Sequence, residues 1–137
     1  MERHEPHRSY QGLTAKNQGG GKNTKAFRYD TVKLEDAEVQ GANKIKVRWL
    51  ITKEMGAPNF AMRVFEVEPL GYSPLHKHPW EHEVFILEGQ GQLFDGKNAN
   101  PLNPGDVVFI PPDEMHQFKN HGNELLKFIC LIPHPQQ

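Results

Sequence analysis

Four histidines in this chain have the placement of a shared metal site: His76, His78 and His82 inside HKHPWEHEVFILEGQG, and His116 after GDVVFIPPDEM. Imidazole is a neutral nitrogen donor at neutral pH and suits mid-to-late first-row divalent metals. Four such donors leave the whole positive charge on the ion, which can then polarise an oxygen-bearing ligand. If they occupy four corners of an octahedron, two remain for water, dioxygen, peroxide or a substrate oxygen. A tetrahedral zinc site would instead be closed and chemically idle. A lone histidine on a strand is usually structural. Four in two short segments, each bracketed by glycine and proline turns, argue for metal binding.

Strands have to bring those side chains together. KIKVRWLIT (44–52) alternates, with Ile45, Val47, Trp49 and Ile51 on one face and Lys44, Lys46 and Arg48 on the other. NFAMRVFEVE (59–68), EVFIL (83–87), DVVFIP (106–111) and LLKFICLI (125–132) are β-branched or aromatic runs of strand length. Turn signals such as GAP, PLG, DGK, NPG and HGN separate them. LEDAEVQ (34–40) predicts one short helical turn at most. The pattern is that of an all-β antiparallel sandwich or barrel. His76 and His78 share parity, so an extended segment points both to one face. Pro79 bends the chain before His82, and a β-ladder can set His116 opposite. EVFIL is apolar on both faces, so a homodimer covering its outer face is expected.

The length of 137 residues suits one domain, read as 26–137 behind a flexible arm over 1–25 that is rich in Gly, Gln, Asn and Lys. His4 and His7 lie in that arm and are not expected to be ligands. A net charge of −1 gives no basic excess for nucleic acid or an anionic membrane. No apolar run approaches the roughly 20 residues of a membrane span. MERHEPHRSYQG has no apolar core of a secretory signal. The single cysteine, Cys130, allows no internal disulfide and fits a reducing compartment, so a cytoplasmic location is expected.

GYSPLHKHPWEHEVFILEGQG and GDVVFIPPDEMHQFKN resemble the two signature motifs of the cupin superfamily. The first family pattern runs Gly, HxH, three or four residues, Glu, six residues, Gly; the second runs Gly, five residues, Pro, a stretch, His, three residues, Asn. Gly105, Pro111, His116 and Asn120 match the second. In the first, Gly71 lies one residue closer to His76 than usual, and His82 falls in the usual Glu slot. Glu83 is the competitor at the longer spacing, but only five residues then precede Gly89. His82 is taken as the ligand and Glu83 is left on the outer face.

Residues 57–133 also resemble the small single-domain tetra-histidine cupins that bind manganese. That resemblance implies a cupin-type antiparallel β-barrel, a double-stranded β-helix. Its ligands would be His76, His78, His82 and His116. Mn2+ is the first choice of metal, with Fe2+, Ni2+, Cu2+ or Zn2+ also accepted by imidazole. It further implies Phe118, Phe128, Cys130 and Ile132 around the open side of the ion. It says less about the reaction, because cupins include dioxygenases, isomerases, decarboxylases, storage proteins and regulators.

Parity on LLKFICLI agrees: with Lys127 assigned to solvent, Leu126, Phe128, Cys130 and Ile132 face inward. Arg63 shares the parity of Ala61, Phe65 and Val67, and a charge among apolar neighbours needs a partner. That partner is either a substrate carboxylate at the pocket or an internal one such as Glu66 or Glu83. No basic partner for Cys130 is evident, and an apolar setting raises a thiol pKa, so a nucleophilic role is not expected. Near a redox metal the thiol would be exposed to oxidation. Trp80 reads as a packing wedge, and His121 and His134 as solvent-facing. The expected pocket is small and largely apolar, suited to an aromatic or short aliphatic small-molecule substrate. The function expected is a metal-dependent cupin oxidoreductase of the dioxygenase or peroxide-using type. The alternatives are a non-enzymatic module that binds or senses a small molecule or metal, and a metal-assisted isomerase. The isomerase needs an acid–base residue that no motif reveals.

Overall fold

Short β-branched and aromatic runs separated by turn residues become strands in the computed structural model, which describes residues 23–37 and 39–134. The strands are β1 (Glu35–Asp36), β2 (Asn43–Ile51), β3 (Phe60–Tyr72), β4 (His82–Glu88), β5 (Gly91–Phe94), β6 (Ala99–Leu102), β7 (Val107–Ile110), β8 (Gln117–Lys119) and β9 (Leu126–Pro133). Two single 3-10 turns, Tyr29–Thr31 and Lys53–Met55, are the only helical segments among the described residues. None is long and apolar enough to cross a membrane. The arm read over 1–25 lies outside the described residues as far as residue 22.

All strands join one curled antiparallel sheet in the order β6-β5-β8-β3-β9-β4-β7, with β2 and then β1 branching from β3. The fold is all-β, of the barrel type expected. β3 organises it: along its 13 residues it pairs with β2, β9 and, at Tyr72, β8. Side chains on the concave face, among them Val84, Ile86, Ile110, Phe118, Leu126 and Phe128, make the core. Complete burial of each contributes about 1.5–3 kcal/mol.

Three local expectations change. LEDAEVQ, read as one short helical turn at most, supplies a strand: Glu35 and Asp36 pair with Val47 and Lys46 of β2. One turn is too short to repay helix nucleation, whereas a strand edge satisfies its backbone at once. Alternation on β2 holds from Ile45 through Trp49, which pairs with Arg63, but slips between Trp49 and Ile51, where Leu50 is buried and Ile51 is not. A bulge inserts one extra residue and reverses the faces beyond it.

Lys127 is the third. It faces the outside of β9 as parity requires, yet it is buried beneath the chain around Tyr29. Its ammonium donates to the Tyr29 hydroxyl (2.8 Å) and lies 3.7 Å from Glu88 and 4.0 Å from Glu66. Burial alone would lower its pKa, but the Tyr29 bond and the two carboxylates outweigh it and raise it.

The motif residues outside the histidines are structural. A Cβ on Gly71 would sit 2.7 Å from the Lys44 carbonyl oxygen. Gly89 has φ +80°, and a Cβ there would strike the Leu125 carbonyl. Asn120 is fully buried; its amide donates to the carbonyls of Val67 and Glu124 (both 2.8 Å), and its oxygen accepts from the Gly122 amide. It pins β3 to the turn before β9.

Candidate metal centre and cavity

The HKH segment is not part of a strand; it is held by one bridge. His76 and His116 pair as an isolated antiparallel bridge, each amide donating to the other's carbonyl at 3.2 and 2.9 Å. The Asp113 amide donates to the His78 carbonyl, closing the other side of the loop. β4 then starts at His82, opposite Ile110 of β7. Trp80 stacks on the His78 ring at 4.6 Å and 5°, which fixes the plane of that imidazole.

The donor atoms of His76, His78 and His116 lie within 4.8 Å of one another, a group able to hold a metal ion. The His82 ring faces them at 4.7 Å from His116 and 5.3 Å from His78, centroid to centroid. His82 Nε2 is buried with no hydrogen-bond partner, while its Nδ1 lies 3.5 Å from Cys130 Sγ. His116 Nδ1 lies 3.0 Å from the Glu114 carbonyl, so its proton belongs there and Nε2 keeps its lone pair. A buried nitrogen without a partner costs free energy, and coordination would remove that cost. The three-histidine set fits a divalent ion, and His82 stands beside it without belonging to that group.

Burial holds all four imidazoles neutral, as ligands must be. It is the largest influence on each, taking His76 to about 4 and His82 to about 3 and lowering His78, with neighbouring His116 and Arg63 reinforcing it. His116 is lowered too, against the bond from its ring to Glu114. Glu83 is half-buried on β4 and does not line the cavity. Burial and a hydrogen bond shared with Glu81 push its carboxyl up to about 7.

The four histidines form one end of a cavity of about 300 Å³. Arg63, Phe118, Phe128, Cys130 and Ile132 line it as well. Sequence reasoning did not name Phe65 or Trp49 as cavity residues, though parity with Arg63 and with Ile45 could have revealed them. Phe118, Phe128 and Phe65 stack in sequence, at 4.5 and 5.4 Å, away from His116. Among the described residues, no carboxylate lines the cavity.

Arg63 points inward, and Cys130 does have a basic neighbour. The two are register partners across β3 and β9, and Arg63 Nη2 donates to Cys130 Sγ at 3.1 Å. Burial still raises the thiol pKa, with Arg63 opposing. Neither Glu66 nor Glu83 pairs with Arg63; Glu66 lies 3.7 Å from Arg48 on the outer face. His134 is not free in solvent, since its Nε2 lies 2.8 Å from the Ala57 carbonyl. His121 is exposed.

With this geometry in hand, the cupin domain family matches residues 63–132, which span both histidine segments and β3 to β9. The chain belongs to the cupin family. It is 39% identical over 71 residues to 1-methylthio-D-xylulose 5-phosphate methylsulfurylase of Rhodospirillum rubrum, covering 52% of this chain and 46% of that one. The match therefore spans less than half of that relative. Across 67% of this chain and 78% of the relative, it is 33% identical to the oxalate-binding protein of Thermotoga maritima. Among solved structures, the polyketide cyclase RemF of Streptomyces resistomycificus superposes with a TM-score of 0.78 at 34% identity, covering 82% of this cupin and 80% of the cyclase.

Proposed function

We propose that this cupin is a metal-dependent oxidoreductase of the dioxygenase or peroxide-using type, acting on a small apolar or aromatic molecule. His76, His78, His82 and His116 would hold one divalent ion, Mn2+ before Fe2+, Ni2+, Cu2+ or Zn2+. One observation carries the reading: a three-histidine group able to hold an ion stands at the end of an apolar cavity, with the ring of His82, its Nε2 buried and unpartnered, beside it. When bound, the ion supplies Lewis acidity and, where it is a redox metal such as manganese or iron, a redox couple at that wall. The side chains do the rest. Phe118, Phe128, Phe65 and Ile132 exclude water and orient a flat guest towards the imidazoles.

The lining argues against the isomerase alternative. Proton abstraction needs a positioned base, and among the described residues the cavity offers no carboxylate. The relatives differ in the activities their names carry, so the fold does not choose the reaction. A binding or sensing role needs no base either and is the second reading; the oxalate-binding relative favours it. The one buried thiol suits a reducing, cytoplasmic setting.

Elemental analysis of tag-free protein, followed by oxygen uptake over aromatic and enol substrates with manganese- and iron-loaded protein, tests the proposal. Metal-dependent uptake abolished by His116→Ala is the expected result. Tight reversible ligand binding with no uptake would overturn the oxidoreductase reading in favour of the binding module.

A further inference from the structure

We infer that the molecule this cavity takes is a small organic monoanion, its carboxylate seated on Arg63 and its apolar body lying along Phe65, Phe128 and Ile132. The inference rests on reading the cavity as a substrate site, but not on the oxidation chemistry.

Charge balance is the argument. The guanidinium stays ionised in proteins, and a buried cation is costly unless paired. Arg63 has a thiol at 3.1 Å, the Trp49 and Phe65 rings at 5.3 and 4.8 Å, and nothing on its buried Nε. Ring faces return about 0.5–2 kcal/mol each, less than an ion pair that also makes hydrogen bonds. No carboxylate lines the cavity among the described residues, so the missing counter-charge is not in the wall.

Shape and chemistry narrow the guest. A guanidinium presents a planar fork that a carboxylate meets bidentately. The cavity of about 300 Å³ is roughly twice the size of one that takes benzene. A ring or short chain with one charged head fits. A polyanion such as a nucleotide does not, having one guanidinium to meet several charges.

Benzoate and its neutral analogue benzyl alcohol test this by calorimetry on the manganese-loaded full chain. Benzoate should bind at least about tenfold more tightly, the scale of one charge-assisted hydrogen-bonded contact. Arg63→Gln should abolish the preference and Arg63→Lys should keep part of it, with manganese content checked in each. Equal binding of the two probes by the unmutated protein would overturn the inference, as would no benzoate binding at millimolar concentration or a preference surviving Arg63→Gln. If the preference holds but no substrate consumes oxygen, the oxidation chemistry fails and the anion site stands. If neutral substrates alone consume oxygen and benzoate has no advantage, the reverse is true.

Discussion

Arg63 and Lys127 are cations on adjacent strands of one sheet, three residues apart in the β3–β9 register, since Lys127 pairs with Glu66. They sit on opposite faces. Outside, Lys127 meets a hydroxyl and two carboxylates, and Arg48 beside it shares Glu66. Inside, Arg63 has a thiol and two ring faces. The outer cluster pairs its cations with carboxylates, although Arg48 Nε makes no hydrogen bond, and fastens the segment around Tyr29 to the sheet; the inner one has no carboxylate among the described residues. That difference between the faces is what the proposal of an anionic guest rests on.

The largest effect should come from the inner face. His82→Ala should weaken manganese binding by about a hundredfold or more, by removing one of four donors, whereas Glu83→Ala should change it less than about threefold. Metal titrations followed by manganese electron paramagnetic resonance would measure both. The reverse ranking would transfer the ligand role to Glu83 and put the carboxyl, not the fourth imidazole, at the ion.

Acid should distinguish the faces next. In metal-free protein the folded-state pKa of His82 is about 3 against 6.5 unfolded. Between those values the unfolded chain binds more protons. The stability that neutral His82 carries is therefore complete above pH 6.5 and is lost as pH falls towards 3, by up to about 1.4 kcal/mol per pH unit. The outer lysine remains charged throughout this range and contributes no slope, while Glu83, raised to about 7, contributes an opposing one between pH 4.5 and 7 that the lowered imidazoles together outweigh. Urea unfolding of chelated protein at pH 7.5, 6, 5 and 4.5 should show stability falling below pH 6.5, and a flat profile would remove the buried neutral imidazoles from the account.

Stability variants separate the two cations directly. Lys127→Met should cost about 1–3 kcal/mol, because it strips hydrogen bonds from a charged, half-buried cluster. Arg63→Met should be neutral or stabilising in the absence of ligand, since an under-paired cation gives way to an apolar side chain. Denaturant midpoints would show this, and equal losses would mean that Arg63 is a structural cation like Lys127.

What the sequence made legible follows from local spacing. Three histidines in seven residues survive any uncertainty in register, and the glycines and proline of the two motifs mark turns that bring His116 back. Long apolar runs such as LLKFICLI announce their strands and their inward set. The short strands β5, β6 and β8 do not: ANPL and GQLF carry glycine, asparagine or proline and are strands because of their neighbours. Lys127 looked like a solvent residue because nothing local predicts that Tyr29, 98 residues away, covers it. The contact between Arg63 and Cys130 spans 67 residues and appears only once β3 and β9 are paired in register.

That contact yields the smallest expected effect. Cys130 Sγ lies between Arg63 Nη2 and His82 Nδ1, at 3.1 and 3.5 Å. With His82 Nδ1–H donating to sulfur, the lone pair is on Nε2, the buried atom without a partner. In that arrangement the thiol would favour the tautomer that can ligate, with Arg63 Nη2 on its other side. Sulfur is a weak acceptor and the contact is long, so the loss should sit at the low end of the usual outer-contact range. Cys130→Ala should weaken manganese binding about tenfold. Cys130→Ser, which keeps an acceptor on a shorter side chain, should recover part of that. If Ala and Ser behave alike and both match the unmutated protein, the thiol is only a wall of the cavity. The tautomer of His82 is then set by the metal itself, and the inner face relies on its imidazoles alone.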